Sequence, residues 1–322
     1  MTDGETTSLS PQPRRRNPDV LRVRAGFEFE FELSYATPML FVVEPRDRPG
    51  QRIVAQRREL SPDLPLAQTS SYMDAFGNVV WRVLAPPGRL RITHDLLADV
   101  PSRRDPVLSG LPGTPVERLP DELLQYLLPS RYVDSDLLTP EAWQRFGSVP
   151  AGWMQVQAIC DHLHGTLRYG AGSTSATTAS QAYQSGVAVC RDFAHLGVAY
   201  CRALNIPARY VCGYLPDVGV PQDGRPMDFH AWFEAWVDGA WRTFDARHNV
   251  PRAGRVLIAT GRDASDTAFN TAFGNARLVH MRVWADEVDG DAVLPAQVPT
   301  PAQANHSTEL AGTESREGEM HG

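Results

Sequence analysis

From Leu21 to Leu33 the chain alternates strictly in its second half. Phe27, Phe29, Phe31 and Leu33 are separated by Glu28, Glu30 and Glu32. This period of two predicts a half-buried strand. Further short β-rich runs follow at Met39–Val43, Gln51–Gln56, Val79–Leu84 and Leu90–Thr93, punctuated by turn sequences such as Asp74-Ala75-Phe76-Gly77-Asn78 and Pro86-Pro87-Gly88. Together they predict a β-rich N-terminal unit over residues 20–105. The aperiodic, Pro- and Gly-bearing stretch Pro101–Gly113 reads as the linker out of it.

Beyond the linker the spacing of apolar positions lengthens. Pro120–Leu128 and Pro140–Phe146 read as short helices, the second with Thr139 as N-cap and Pro140 in its first turn. A longer helix is predicted over about 152–167, then a small-residue loop over 170–180. Phe193, Gly197, Tyr200, Cys201 and Leu204 then recur at intervals of three and four, which predicts an amphipathic helix over Cys190–Leu204 ended by Asn205-Ile206-Pro207. Apolar runs at Ala208–Tyr214, Trp232–Val237, Trp241–Phe244, Val256–Ile258 and Leu278–Trp284 read as strands. The expected class is therefore α+β, with a helix packed on an antiparallel sheet over residues 106–287. Residues 1–19 and 288–322 are polar, without periodicity, and read as disordered tails.

The formal charge of −7 changes this picture little, because the tail 288–322 alone carries six carboxylates against Arg316, a net of −5. A nearly neutral body argues against a nucleic-acid partner, which needs a clustered basic face, and the run Arg14-Arg15-Arg16 lies in a tail. The chain contains no lysine at all, which excludes a P-loop, a Schiff-base lysine and a Ser-Lys dyad. There is no apolar stretch approaching the roughly 18–20 residues that span a bilayer, and no secretory leader pattern. Four cysteines (Cys160, Cys190, Cys201, Cys212) without a CxxC pair predict free thiols. A soluble cytoplasmic protein, without membrane association, is the expectation. No sequence feature reports on oligomeric state.

The chemistry concentrates in one constellation. Cys190 opens a predicted helix, His230 follows forty residues later, and Asp245 fifteen beyond that. His230 and Asp245 lie in runs on opposite sides of Asp238-Gly239, so a hairpin would bring them together. A carboxylate holding one imidazole nitrogen, with the other facing a thiol, is the arrangement of a cysteine nucleophile with its base and orienter. The helix dipole, worth about 0.3–2 kcal/mol, is too weak to ionise a thiol fully, so the sequence predicts that the histidine supplies most of the activation. Cys160, Cys201 and Cys212 fall on apolar faces and read as small core hydrophobes. His195 reads as packed, and His162 and His164 as divergent on their helix rather than metal-ligating. Asp217 and Asp228 read as turn formers. GxSxG is absent, which excludes the serine nucleophile elbow.

Through GVAVCRDFAHL, IPARYVCGYL, DFHAWFEAWV and FDARHN, in this order and spacing, the chain resembles the bacterial transglutaminase-like superfamily. LLPSRYVDSD and GRVLIATGRDASD extend the resemblance to a bacterial branch with an N-terminal β domain, over roughly residues 20–287. The resemblance implies a papain-like core and a thioester on Cys190, formed from a Gln side chain or a peptide carbonyl and resolved by water or an amine. It assigns nucleophile, base and orienter to Cys190, His230 and Asp245, and it implies no cofactor and no metal. The chain departs from the family where Ala188-Val189 displaces a glycine before the cysteine and where Ala246-Arg247 replaces Pro-Thr after the aspartate. Gln184, six residues before Cys190, is a candidate oxyanion donor, and Trp232 a candidate cleft wall. The implied partner is a protein or peptide substrate, and the implied chemistry is that of a cysteine protease, deamidase or acyltransferase. An arylamine-type N-acyltransferase would order Cys, His and Asp alike but needs an Arg-Gly-Gly lead-in that this chain lacks. A non-catalytic peptide-binding domain would have no need of the intact triad.

Overall fold

The structure, a computed structural model, describes residues 18–65, 68–221 and 224–296. The N-terminal unit is built from β1 (Val20–Leu33), β2 (Thr37–Glu44), β3 (Arg52–Ser61), β4 (Thr69–Met73), β5 (Val79–Ala85) and β6 (Gly88–Pro101). Helices α1 (Ser135–Phe146) and α2 (Trp153–Thr166) follow, then the short strand β7 (Arg168–Tyr169), α3 (Ala179–Ser185), β8 (Val187–Ala188) and α4 (Cys190–Ala203). The chain continues through β9 (Ala208–Tyr214), β10 (His230–Val237), β11 (Ala240–Phe244), β12 (Val256–Gly261), β13 (Thr271–Ala272) and β14 (Ala276–Val288). The α+β class read from the sequence is what the fold shows.

Three four-stranded sheets organise the molecule, in the orders β14-β1-β6-β3, β13-β2-β5-β4 and β11-β10-β9-β12. The third is the central sheet of the region that follows the N-terminal unit, with α4 packed on β9 and β10. The apolar run 278–284, read above as part of that region, instead pairs along β1 from Arg22↔Val288 to Leu33↔Ala276. The chain therefore closes its N-terminal β unit with its last strand. Period two predicts a strand but carries no information about its neighbour, which is why the sequence misplaced it. Residues 289–296, read as tail, continue along this unit, where the carbonyls of Pro295 and Ala296 accept from Arg57. The tails read at 1–17 and 297–322 lie outside the described residues.

The N-terminal unit and the β11-β10-β9-β12 sheet share one apolar core. Phe27, Phe29, Phe41 and Trp81 are buried in the same cluster as Tyr210, Tyr214, Phe229 and Ile258. Two side-chain amides then seal the outer edge of β12. Asn78 Nδ2 donates to the Thr260 carbonyl at 2.8 Å while its Oδ1 accepts from Thr260 N at 2.9 Å. Gln51 treats Leu257 in the same way, at 3.0 and 2.7 Å. An exposed strand edge is a template for unwanted pairing, and here it is satisfied by the N-terminal unit.

Local signals account for the helices with two differences. α1 starts at Ser135, a turn earlier than Pro140 suggested, with Asp134 at its N-cap position; the Asp134 carboxylate does not cap α1 but accepts from Ser180 N and Thr178 Oγ1 at the α3 start. α4 is not amphipathic in its surroundings: every residue from Asp192 to Ala203 is buried. Its polar residues mimic a wet face but are satisfied inside the protein. Arg202 donates to the carbonyls of Leu128, Ala208 and Arg262, and His195 Nε2 accepts from Ala264 N at 3.1 Å. Gly197 permits the close seating of α4 on the sheet, since an added Cβ would collide with the Phe233 ring.

Candidate active site

The hairpin anticipated around Asp238-Gly239 forms with β10 and β11 in the register Val237↔Ala240 to Phe233↔Phe244. Both turn residues have positive φ, 51° and 72°, the signature of the two-residue turn that matches strand twist. His230 sits at the start of β10 and Asp245 just past the end of β11. His230 Nε2 donates to Asp245 Oδ2 at 2.7 Å, with both side chains almost fully buried. A carboxylate has no proton to give, so this bond places the imidazole hydrogen on Nε2 and makes Nδ1 the basic nitrogen.

Cys190 is the first residue of α4 and the one half-buried cysteine; Cys160, Cys201 and Cys212 are buried, and all four are free. The Asp192 carboxylate accepts from Val189 N at 2.9 Å and secures the entry into the helix. Its thiol lies against the backbone on either side of His230, 4.0 Å from the Phe229 carbonyl and beside the Ala231 N–H. Phe229 is in turn caged by Phe269, Tyr214, Phe27 and Phe29, at ring distances of 4.0 to 6.0 Å. The aromatic strand β1 thus helps to fix the segment that carries the histidine. As the first residue of α4, Cys190 has a backbone N–H with no intrahelical partner, which makes it a candidate oxyanion donor.

The electrostatics revise how the thiol is activated. Burial pushes the Cys190 thiol up to about 11, against the opposing pull of the Ala231 N–H and of Arg247. Burial also holds His230 below its ordinary value despite Asp245. Burial would raise Asp245, but His230 and Arg255 outweigh it and keep its carboxyl well below the usual range. Both directions favour a neutral thiol beside a neutral imidazole over an ion pair at rest. Desolvation of the sulfur exceeds what a helix N-terminus can return. Alkylation of Cys190 by iodoacetamide is accordingly expected to accelerate by about tenfold per pH unit from about pH 7 to pH 10. Peptide mapping at each pH would reveal the alternative, a plateau that begins below neutrality.

Several residues unmarked by the sequence complete the site. Arg255, its side chain 9% exposed, donates from Nη2 to Asp245 at 3.1 Å and from Nε to Asp105 at 3.0 Å. Asp105 also accepts from Arg252 N, which ties the linker to the segment that carries Arg255. Arg247 places Nη1 3.5 Å from His230 Nδ1. Of the weaker candidates, Trp232 is buried with its ring 6.1 Å from that of His230 and 5.0 Å from the Arg255 guanidinium. It therefore packs beside the His230 ring and the arginine that binds Asp245. Gln184 stands exposed on α3 and has no hydrogen bond to Cys190, His230 or Asp245 among the described residues. His162 and His164 diverge as read, toward the Tyr183 hydroxyl and the Arg247 carbonyl. His230, Asp245 and His248 bring potential ligand atoms within 4.8 Å of one another. Arg255 lies at 3.1 Å from that carboxylate and Arg252 at 3.5 Å from His248 Nδ1, and two guanidiniums make this a poor seat for a dication.

Comparison with known proteins agrees with this construction. A crystal structure of a candidate cysteine protease from Cytophaga hutchinsonii is 33% identical, superposes with a TM-score of 0.76, and is matched over 85% of this chain and 93% of its own. An uncharacterised protein of Mycobacterium leprae is 28% identical over 235 residues, 70% of this chain and 81% of its own length. One from Mycobacterium tuberculosis is 27% identical over 250 residues, 69% and 76% of the respective chains. The profile of the transglutaminase-like superfamily matches residues 144–246, a span that contains Cys190, His230 and Asp245. With its fold shared across nearly the whole of a solved relative and its central motifs in that profile, the chain belongs to the transglutaminase-like superfamily.

Proposed function

We propose that the protein is a cysteine acyl-transfer enzyme that cleaves amide bonds of protein or peptide substrates through a thioester on Cys190. The observation that carries this reading is the 2.7 Å His230–Asp245 bond beside a thiol set against the residues flanking that histidine. His230 Nδ1 takes the proton of Cys190 as sulfur attacks the carbonyl carbon, and the Cys190 N–H stabilises the oxyanion. Collapse breaks the C–N bond, and His230 returns the proton to the departing nitrogen, which leaves as ammonia from a Gln side chain or as an amine from a peptide bond. Water, deprotonated by the same nitrogen, then resolves the thioester to an acid. An amine acceptor would give a new amide by the same path. The likeness to the Cytophaga hutchinsonii candidate cysteine protease supports water as the acceptor.

Incubation of a Gln-rich protein with the enzyme and a labelled primary amine distinguishes these outcomes. Ammonia release or new peptide termini are expected, lost in Cys190→Ala; label incorporation would identify transfer to the amine. A native Cys190→Ala protein that retains full amide cleavage would refute the nucleophile.

A further inference from the structure

Tyr169 lies in β7, which pairs in parallel with β8 just before Cys190. Two guanidiniums from different loops converge on its ring. Arg247, two residues after Asp245, stands over it at 3.9 Å from the centroid, and Arg225, from the loop that leads into β10, at 4.8 Å. Arg247 also reaches to 3.5 Å from His230 Nδ1, so this cationic stack borders the reacting atoms themselves. Cys190 and Arg247 both act electrostatically on the Tyr169 hydroxyl, and Arg247 acts on the Cys190 thiol as well. The acidic neighbour on this rim, Asp228, accepts from Phe229 N at 2.7 Å through Oδ1 and also interacts electrostatically with Arg247 and Cys190, so it offsets part of the positive charge there.

We propose that Arg247 and Arg225, braced on Tyr169, form a carboxylate-recognition subsite beside Cys190. The enzyme would then favour acyl donors that carry a carboxylate next to the attacked carbonyl. This deepens the function proposed above and rests on Cys190 being its nucleophile. A guanidinium stacked on a ring keeps its N–H groups in its own plane, the geometry that grips a carboxylate through two parallel hydrogen bonds. The stack also lowers the conformational freedom that each arginine would otherwise lose on binding. The subsite concerns where these charges stand; a substrate carboxylate would share or replace whatever they contact at rest.

The test uses two small alkylating agents of nearly equal size, anionic iodoacetate and neutral iodoacetamide. Rate constants at Cys190 are measured on the full-length protein by peptide mapping, at one pH, and their ratio is divided by that of 2-mercaptoethanol in the same buffer. Both reagents require the same thiolate, so its ionised fraction cancels and the ratio reads only the charge beside the sulfur. A normalised ratio of about ten at low salt is expected, declining as ionic strength rises. It should fall close to one in Arg247→Gln, fall partway in Arg225→Gln, and be largely kept in Arg247→Lys. A native ratio at or below one, or one unmoved by both Gln variants, overturns the subsite. Should Arg247→Gln unfold, seen as alkylation of all four cysteines, the exposed Arg225→Gln decides alone. Failure of both reagents to modify Cys190 would instead remove the nucleophile, and the subsite with it. Peptide amides with a side-chain carboxylate or a C-terminal carboxylate beside the attacked carbonyl then separate the two sources. Faster turnover of one than of its neutral counterpart identifies the source, and no gain for either contradicts the proposal.

Discussion

Asp245→Asn is expected to lower turnover by about 10³–10⁴-fold while leaving the fold in place. The carboxylate accepts from His230 Nε2, Arg255 Nη2 and, at 3.3 Å, the His248 N–H. An asparagine keeps the shape but not the acceptor set, since one side-chain atom becomes an NH₂ facing donors. The imidazole then gains by carrying its hydrogen on Nδ1, where it cannot take the thiol proton, and the imidazolium formed during attack loses its counter-charge. Because His230 and Arg255 hold the Asp245 carboxyl well below its ordinary value, native activity should show no limb from this group above about pH 4. The measurement is kcat on an amide substrate from pH 5 to pH 9, with thermal unfolding as the fold control. Native-like turnover in the Asn variant would show that the carboxylate does not orient the base.

Arg255→Met should be strongly destabilising, by about 3–5 kcal/mol. Methionine replaces the stem beside Trp232 but leaves Asp245 and Asp105 without the cation that lies 3.1 and 3.0 Å from them. The effect depends on pH with a definite sign. The folded protein holds Asp245 depressed, so this group contributes stability above its unfolded value near 3.8, and the contribution is lost as pH falls through the folded value. Without Arg255 its folded value rises, so the deficit of the variant should shrink once the pH drops below about 4. Urea unfolding at pH 7 and pH 3.5 reads this as a lower midpoint at unchanged slope that partly recovers in acid. A native midpoint at pH 7 would mean that the buried pair adds nothing to stability.

How much of this was legible in the sequence follows from what kind of interaction each feature uses. The hairpin carrying His230 and Asp245 was readable because Asp238-Gly239 specifies a two-residue turn and the turn dictates the register. The helix at Cys190 was readable from apolar spacing, although its burial on all sides was not, because Asp192, His195 and Arg202 are polar residues satisfied by distant partners. Arg255 and Asp105 were illegible for the same reason. They are separated by 150 residues, and the chain has arginines and aspartates at many positions. Arg247 could have been flagged, since it stands where the family more often has threonine, but nothing local says that it reaches His230 Nδ1.

By itself the sequence determined the α+β class, the β-rich beginning, the family and the order Cys190, His230, Asp245, all of which rest on local periodicity, turn chemistry and motif spacing. Only the tertiary structure decided the rest. It returned β14 to β1, and it sealed β12 with Gln51 and Asn78 so that the N-terminal unit became part of the framework around His230 and Asp245. It also desolvated Cys190 enough to keep the thiol neutral at rest. Strand partners, buried ion pairs and desolvation depend on what surrounds a residue in space, and a single chain read in order does not contain that until it folds.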